Sequence, residues 1–312
     1  MRFALMIEGQ EGQTWDDWVH LARTAERLGF ETLFRSDHYL SVDGVGGRGA
    51  LDAWGTLCGL AAVTKTLRLG TLVSPATFRH PSVLAKLAVT ADHISGGRVQ
   101  LGIGTGWHEP EHVAYGFPFP PLKTRMDRLA EQVRIVRGSW DAGPFDFAGE
   151  HYTVQGLDAQ PKPVQQPHPP LIMGGSAGPR GARLAARFAT EYNVVHASVD
   201  EARAARGRLD AACEAEGRDP ATLRFSLMQS FVVGRSDAEV DRRTAELARW
   251  QGISEADAAG TGLRGTPAAI VEQLRAYEDA GVQRVMLQHH LFRDDEALEL
   301  LAAEVLPALV AG

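Results

Sequence analysis

Short apolar runs alternate with longer stretches of helical period along the whole chain. The runs predict strands over 3–8, 32–36, 67–74, 99–104, 171–174, 192–196, 224–233 and 284–289. Between them, apolar residues three and four apart predict helices over 14–28, 50–63, 81–94, 122–140, 178–189, 200–216, 237–250, 267–280 and 294–310. The first helix gathers Trp15, Trp18, Val19, Ala22, Ala25 and Leu28 on one face and stops at Gly29. Another begins at Pro81, a residue the first helical turn accepts because an amide there would be unpaired anyway. Most strands are nearly continuously apolar, as expected of strands buried on both faces. Alternation of strand and helix implies parallel strands with helical crossovers. An open doubly wound sheet and a closed barrel both fit; eight strands with a helix after the last favour the (β/α)8 barrel.

No shift in composition divides the chain, so 1–312 reads as a single domain with two irregular stretches. The first, about 141–170, is rich in Pro, Gly and Gln; its 145–147 and 151–154 flank Ala148-Gly149-Glu150 as a small hairpin. An insertion of that length covers a site, contacts a partner subunit or is a plain surface excursion. The second, about 251–265, is a candidate lid.

Composition narrows the function classes. Hydrophobic residues make up 44% and charged residues 23%, an ordinary globular balance. A net charge of −7 without a basic patch speaks against nucleic acid and anionic membrane as partners. Cys58 and Cys213 stand far apart in helix-like surroundings and read as inert buried thiols. The N-terminus lacks a signal-peptide core and no run is long enough to span a membrane, so a cytoplasmic location is expected.

The segment Gly102-Ile-Gly-Thr-Gly-Trp-His-Glu-Pro-Glu-His112 fits three chemistries. His108 and His112 around Glu109 match the zinc-protease pattern H-E-x-x-H. Pro110 opposes it, since a proline is comfortable only in a helix's first turn, which leaves His108 outside; no metal is expected. A dinucleotide fingerprint fails because the spacing is G-x-G-x-G and no second strand follows. In the third reading, 99–104 is a barrel strand and the residues after it form a loop at the catalytic mouth. Other strands end there in Arg35-Ser36-Asp37-His38, in Thr71-Leu72-Val73-Ser74 and in Met173-Gly174-Gly175-Ser176. The last precedes a helix whose free amides suit an anion.

In this order the segments resemble the bacterial luciferase-like monooxygenase superfamily, in particular its branch using the deazaflavin coenzyme F420. The resemblance runs through Gly29-Phe30-Glu31, Ser36-Asp37-His38, Leu69-Gly70-Thr71-Leu72-Val73-Ser74 and Phe78-Arg79-His80-Pro81. It continues through Asp92-His93-Ile94-Ser95-Gly96-Gly97-Arg98, then 101–107, then Pro169-Pro170-Leu171-Ile172-Met173-Gly174-Gly175. It implies a TIM barrel with insertions, usually a homodimer, holding a flavin-type tricycle at its C-terminal mouth. It further implies a cis peptide at Leu72–Val73 behind the ring. Asp37, His38, Leu72, Val73 and Ser74 would then meet the ring, Thr105 and Gly106 its ribityl side, and Gly174, Gly175 and Ser176 the phosphate.

The expected activity is F420-dependent hydride transfer to or from a small organic substrate. An FMN-dependent monooxygenase is the alternative, and a non-catalytic flavin- or deazaflavin-binding barrel a third reading. His38 is the first choice for proton handling because its ordinary pKa lies near neutrality. Trp107 and Glu109 would shape or polarise the substrate side. In relatives that oxidise glucose 6-phosphate a glutamate follows Gly-Thr-Gly directly; Trp107 stands there instead, which counts against that activity and leaves the acid unassigned. Glu8, Gln288 and His290 are further candidates at strand ends. Asp37, Arg79 and His80 have plain alternatives as turn or helix-entry residues, Gly96-Gly97 is a turn, and His93 reads as structural.

Overall fold

Strand β1 (Arg2–Ile7), which is buried from Phe3 onward, pairs in parallel with β2 (Thr32–Arg35), and between them runs α1 (Trp15–Arg27). Thr14 and Asp17 form a reciprocal capping box at the start of α1, and Trp18, Leu21, Ala22 and Ala25 bury its inner face. The computed structural model describes residues 1–260 and 262–309. Thr261, inside the second irregular stretch, and Val310, the end of the expected last helix, lie outside the described residues.

The unit then repeats: α2 (Ala53–Val63), the interrupted strand β3 (Arg68–Thr71) and β4 (Ser74–Pro75), α3 (Pro81–Ser95), β5 (Val99–Gly104), α4 (Glu109–Tyr115) and α5 (Leu122–Trp140). A hairpin of β6 (Phe145–Ala148) and β7 (Thr153–Leu157) precedes β8 (Leu171–Gly174), α6 (Pro179–Phe188), β9 (Glu191–Val195) and α7 (Val199–Ala215). The chain ends through β10 (Arg224–Val233), α8 (Asp237–Gln251), α9 (Glu255–Ala259), β11 (Leu263–Gly265), α10 (Pro267–Asp279), β12 (Arg284–Gln288) and α11 (Asp295–Leu300). Parallel pairing runs β1-β2-β3-β5-β8-β9, β9 pairs with β10, and β10 returns through β12 to β1. The ring is closed: this is a TIM barrel, as the eight-fold alternation predicts.

Two filled layers and an open one stack along the barrel axis. At the strand starts, Arg284 and Glu191 form a buried ion pair of 2.7 Å, extended through Gln100 to Thr32. Above lies an apolar layer of Ala4, Met6, Phe34, Ile172, Met228 and Met286. Above that, at the C-terminal ends, the interior opens as a cavity of about 960 Å³. The larger apolar core sits between strands and helices, as both-face burial requires.

The sequence missed three elements. β11 pairs with the last residues of β10, where that long strand outruns the barrel. α9 lies within the expected lid, and α4 within the glycine segment's tail. The last helix differs too: regular α-helix ends at Leu300, and a wider π turn (Leu301–Val305) and a 3₁₀ turn (Leu306–Ala308) follow. Pro307, lacking an amide hydrogen, breaks regular bonding there.

The two irregular stretches part ways. The first runs beneath the barrel: Asp92 accepts from the amides of Val164 and Gln165, and the Gln165 side chain caps the Val99 carbonyl at the start of β5. Its hairpin turn is pinned to α5 by Glu131, which accepts from the amides of Glu150, His151 and Tyr152. No residue of 141–170 lines the cavity, so of the three readings of this stretch the cover over the site is the one its position does not favour. Gln251, Ile253, Gly260 and Gly262 of the second stretch do line it.

Candidate active site

The end of β2 aims its side chains alternately. Arg35 is buried over Trp18, its guanidinium spent on the Leu51 and Ser36 carbonyls and on Thr56. Asp37 is buried behind the wall; it pairs with Arg79 at 2.6 Å and accepts from Ser74 Oγ at 2.6 Å. Asp37 and Ser74, expected against the ring, therefore brace the loop and do not line the cavity. The ordinary alternative for Arg79, a polar group at a helix entrance, becomes more specific: it clamps Asp37, Asp52 and the Tyr39 hydroxyl.

His38 faces the cavity. Its Nδ1 lies 2.6 Å from Glu111 Oε1, whose second oxygen accepts from the Tyr39 amide at 3.0 Å. A carboxylate only accepts, so Nδ1 carries the hydrogen, and Nε2 has no protein partner among the described residues. Burial alone would disfavour the charged ring; the Glu111 hydrogen bond and charge, with Glu8 and Asp37 behind, outweigh it and raise the pKa. Burial conversely works to raise Glu111, but the bond to His38 and its charge hold the carboxyl below its ordinary value. A pair of this geometry is able to hold a proton in a fixed orientation. Replacing Glu111 with Gln is expected to lower the His38 pKa, since the largest interactions that raise it are lost while burial stays; histidine NMR titration reads it, and an unchanged pKa would sink the assignment.

Glu111, the partner of His38 in the cavity wall, is the candidate residue that the sequence reading missed. Pro110 sits in the first turn of α4 and His108 at its N-cap, as the proline argument requires, and this turn carries Glu111 into the wall. Glu109, the expected polarising acid, is exposed on the first position of α4 and is not in the wall. His112 is buried with both ring nitrogens engaged, Nε2 by Thr77 Oγ1 and Nδ1 by the His108 carbonyl, each at 2.7 Å. The zinc-protease match is thus a chance match.

Across the mouth, Leu72 and Val73 interrupt the third barrel strand with a cis peptide and line the cavity. Gly104, Gly106, Gly174 and Gly175 leave the surface around them bare of side chains. A Cβ on Gly104 would stand 2.7 Å from Val73 Cγ2, and one on Gly106, at φ +79°, 2.8 Å from Thr77 Oγ1. This glycine-bared shelf, in a cavity of about 960 Å³, fits a ring system with a second molecule beside it. Thr105 and Trp107 complete the rim; Trp107, 64% exposed, meets His38 edge-on at 5.6 Å. Beyond Gly175, Ser176 is exposed outside the wall, its carbonyl held by Arg208, and α6 begins with no side-chain cap.

Residues 1–264 match the luciferase-like monooxygenase family. The chain belongs to that family. Among its relatives, the F420-dependent glucose-6-phosphate dehydrogenase of Intrasporangium calvum is 31% identical over 91% of this chain and 92% of its own length. The FMNH(2)-dependent dimethylsulfone monooxygenase of Pseudomonas putida is 29% identical over 75% of this chain and 62% of its own. The chain spans about half to two thirds of the length of that enzyme and of other curated relatives it matches. A solved F420-dependent secondary alcohol dehydrogenase in complex with an F420–acetone adduct shares the fold, with TM-score 0.86 over 99% of both chains at 19% identity. The family's relatives thus carry oxidoreductase and monooxygenase names and use F420 or FMNH2. In this luciferase-like chain, the described helices include none long and apolar enough to cross a membrane.

Proposed function

We propose that this protein is an F420-dependent oxidoreductase that moves a hydride between the deazaflavin and a small organic substrate. The observation that carries this reading is the His38–Glu111 pair facing a glycine-bared shelf in one cavity. Preference for the deazaflavin draws support from the relative matched over nearly its whole length, which is named for F420. FMN remains the second reading, because the dimethylsulfone enzyme is named for it.

When bound, the coenzyme supplies the hydride chemistry itself. Leu72, Val73, Gly104 and Gly106 would hold its ring, Thr105 its side chain, and Gly174, Gly175 and Ser176, before the uncapped start of α6, its phosphate. Asp37 and Ser74 act from behind, fixing the loop that presents His38. His38 Nε2 takes or gives the proton on the substrate while Glu111 holds the ring's orientation and charge. Trp107 closes the rim against water. Glu109 would contribute only by its charge at the entrance. A homodimer of this chain in the cytoplasm is part of the same reading.

The experiment is a fluorescence titration of the purified protein with F420 and with FMN. Micromolar binding of F420 with FMN at least tenfold weaker is the expected result, a gap of about 1.4 kcal/mol or more. The reverse order overturns the cofactor assignment. Binding of neither would favour a barrel without this chemistry.

A further inference from the structure

The cavity has two unlike arcs. The shelf occupies the arc of β3, β5 and β8; Glu8, Gln288 and His290 lie on the arc of β1 and β12, adjacent strands of the barrel. Four acidic side chains line the cavity among the described residues, and no lysine or arginine does. Three of the four are spent. Glu111 holds His38, Glu201 closes the capping box of α7, and Asp43 lies 3.3 Å from the Arg48 guanidinium. Arg48 itself is shared with Glu11 and stacked on Trp250, so it offers nothing to a ligand.

Glu8 is different. It enters no ion pair among the described residues; its oxygens accept only from the amides of Gln10, at 2.9 Å, and Gln288, at 2.5 Å. Gln288 is 4% exposed, and donating to Glu8 fixes its amide so that Oε1 is an acceptor with no partner. A carboxylate outside any ion pair among the described residues and an orphaned amide oxygen therefore stand side by side. Both want hydrogen-bond donors. Leaving them unmet costs the desolvation of each, and bringing an anion to them adds repulsion.

We infer that the substrate carries hydrogen-bond donors, hydroxyl or amine, and no phosphate or carboxylate, with Glu8 as the residue that sets this preference. The inference rests on the oxidoreductase reading above and goes beyond it. It separates this site from that of the relative named for glucose 6-phosphate. A hydroxyl or ammonium donates to Glu8 and Gln288 while the reacting carbon turns toward the shelf.

The test reads the cavity's charge without needing the substrate. Trp107 fluorescence, isolated by subtracting the signal of Trp107→Phe, is quenched by iodide and by caesium in cofactor-free protein above neutral pH. Each is normalised to free indole. Caesium is expected to outdo iodide by about threefold, the ratio that half a kT of negative potential produces. Glu8→Gln should narrow that ratio. Iodide quenching equal to or better than caesium, or a ratio indifferent to Glu8→Gln, overturns the inference. So does binding of glucose 6-phosphate to the cofactor-loaded protein as tight as that of glucose or glucosamine. Because the quenching is read without cofactor, its failure and a failed F420 titration are separate results.

Discussion

Gly102→Ala and Gly104→Ala, two residues apart on β5, are expected to fail in different ways. A Cβ on Gly102 would lie 2.1 Å from the Thr71 carbonyl oxygen, a backbone atom of the neighbouring strand that cannot step aside. Overpacking of this kind costs about 1–3 kcal/mol and occasionally more. The upper end is expected here, seen as a thermal midpoint lowered by several degrees with the cofactor site lost alongside. At Gly104 the obstacle is Val73 Cγ2, at 2.7 Å, a side-chain methyl of the shelf itself. Val73 can rotate or shift, so the barrel stays folded and the shelf deforms. If about 1–3 kcal/mol of strain appears as lost binding, F420 affinity falls roughly 5- to 150-fold. Calorimetry and fluorescence titration on both variants separate the outcomes. Full cofactor affinity in Gly104→Ala would remove Val73 from the proposed ring site.

Arg284→Met is the second large effect. Arg284 is wholly buried, spends Nε and Nη2 on Glu191 and Gln100, and lies over the Phe34 ring at 5.1 Å. Removing it leaves Glu191 buried with only Arg224, at 3.3 Å, as a cation. Breaking a buried pair from one side costs about 3–5 kcal/mol. The lower end is expected because Arg224 remains. Replacing both partners, Arg284→Met with Glu191→Leu, should recover part of the loss, since the stranded charge goes with its partner. Urea unfolding measures all three proteins. A double variant less stable than Arg284→Met would show that the pair does more than neutralise itself.

What the sequence revealed and what it hid have physical reasons. The eight barrel strands were legible because burial on both faces makes them continuous apolar runs such as Leu171–Gly174. Gly29 and Pro81 marked two helix ends in the sequence: α1 is capped at Leu28, just before Gly29, and α3 opens at Pro81. The short α4 was hidden by its seven residues and by Gly104 and Gly106 just before it. Pro110 had already marked its first turn; taken one residue further, it would have turned attention from Glu109 to Glu111. Asp37 was legible as important but not as buried, because its partner Arg79 is forty-two residues away. Pairings of that range leave no trace in local pattern. Glu8 and Gln288 were visible as strand ends, yet only closure of β12 onto β1 makes them neighbours.

The filled lower half of the barrel also governs traffic. Arg284, Glu191 and the methionine layer make a floor, and the 141–170 stretch runs beneath it. The chamber above is closed on that side, so a coenzyme and a substrate bound as proposed would enter and leave at the C-terminal ends of the strands, where Trp107, Gln251, Ile253 and Gly260 lie in the cavity wall. A ring seated against Leu72 and Val73 as proposed would then lie on the same approach as the substrate, which ties the order of binding to the floor beneath.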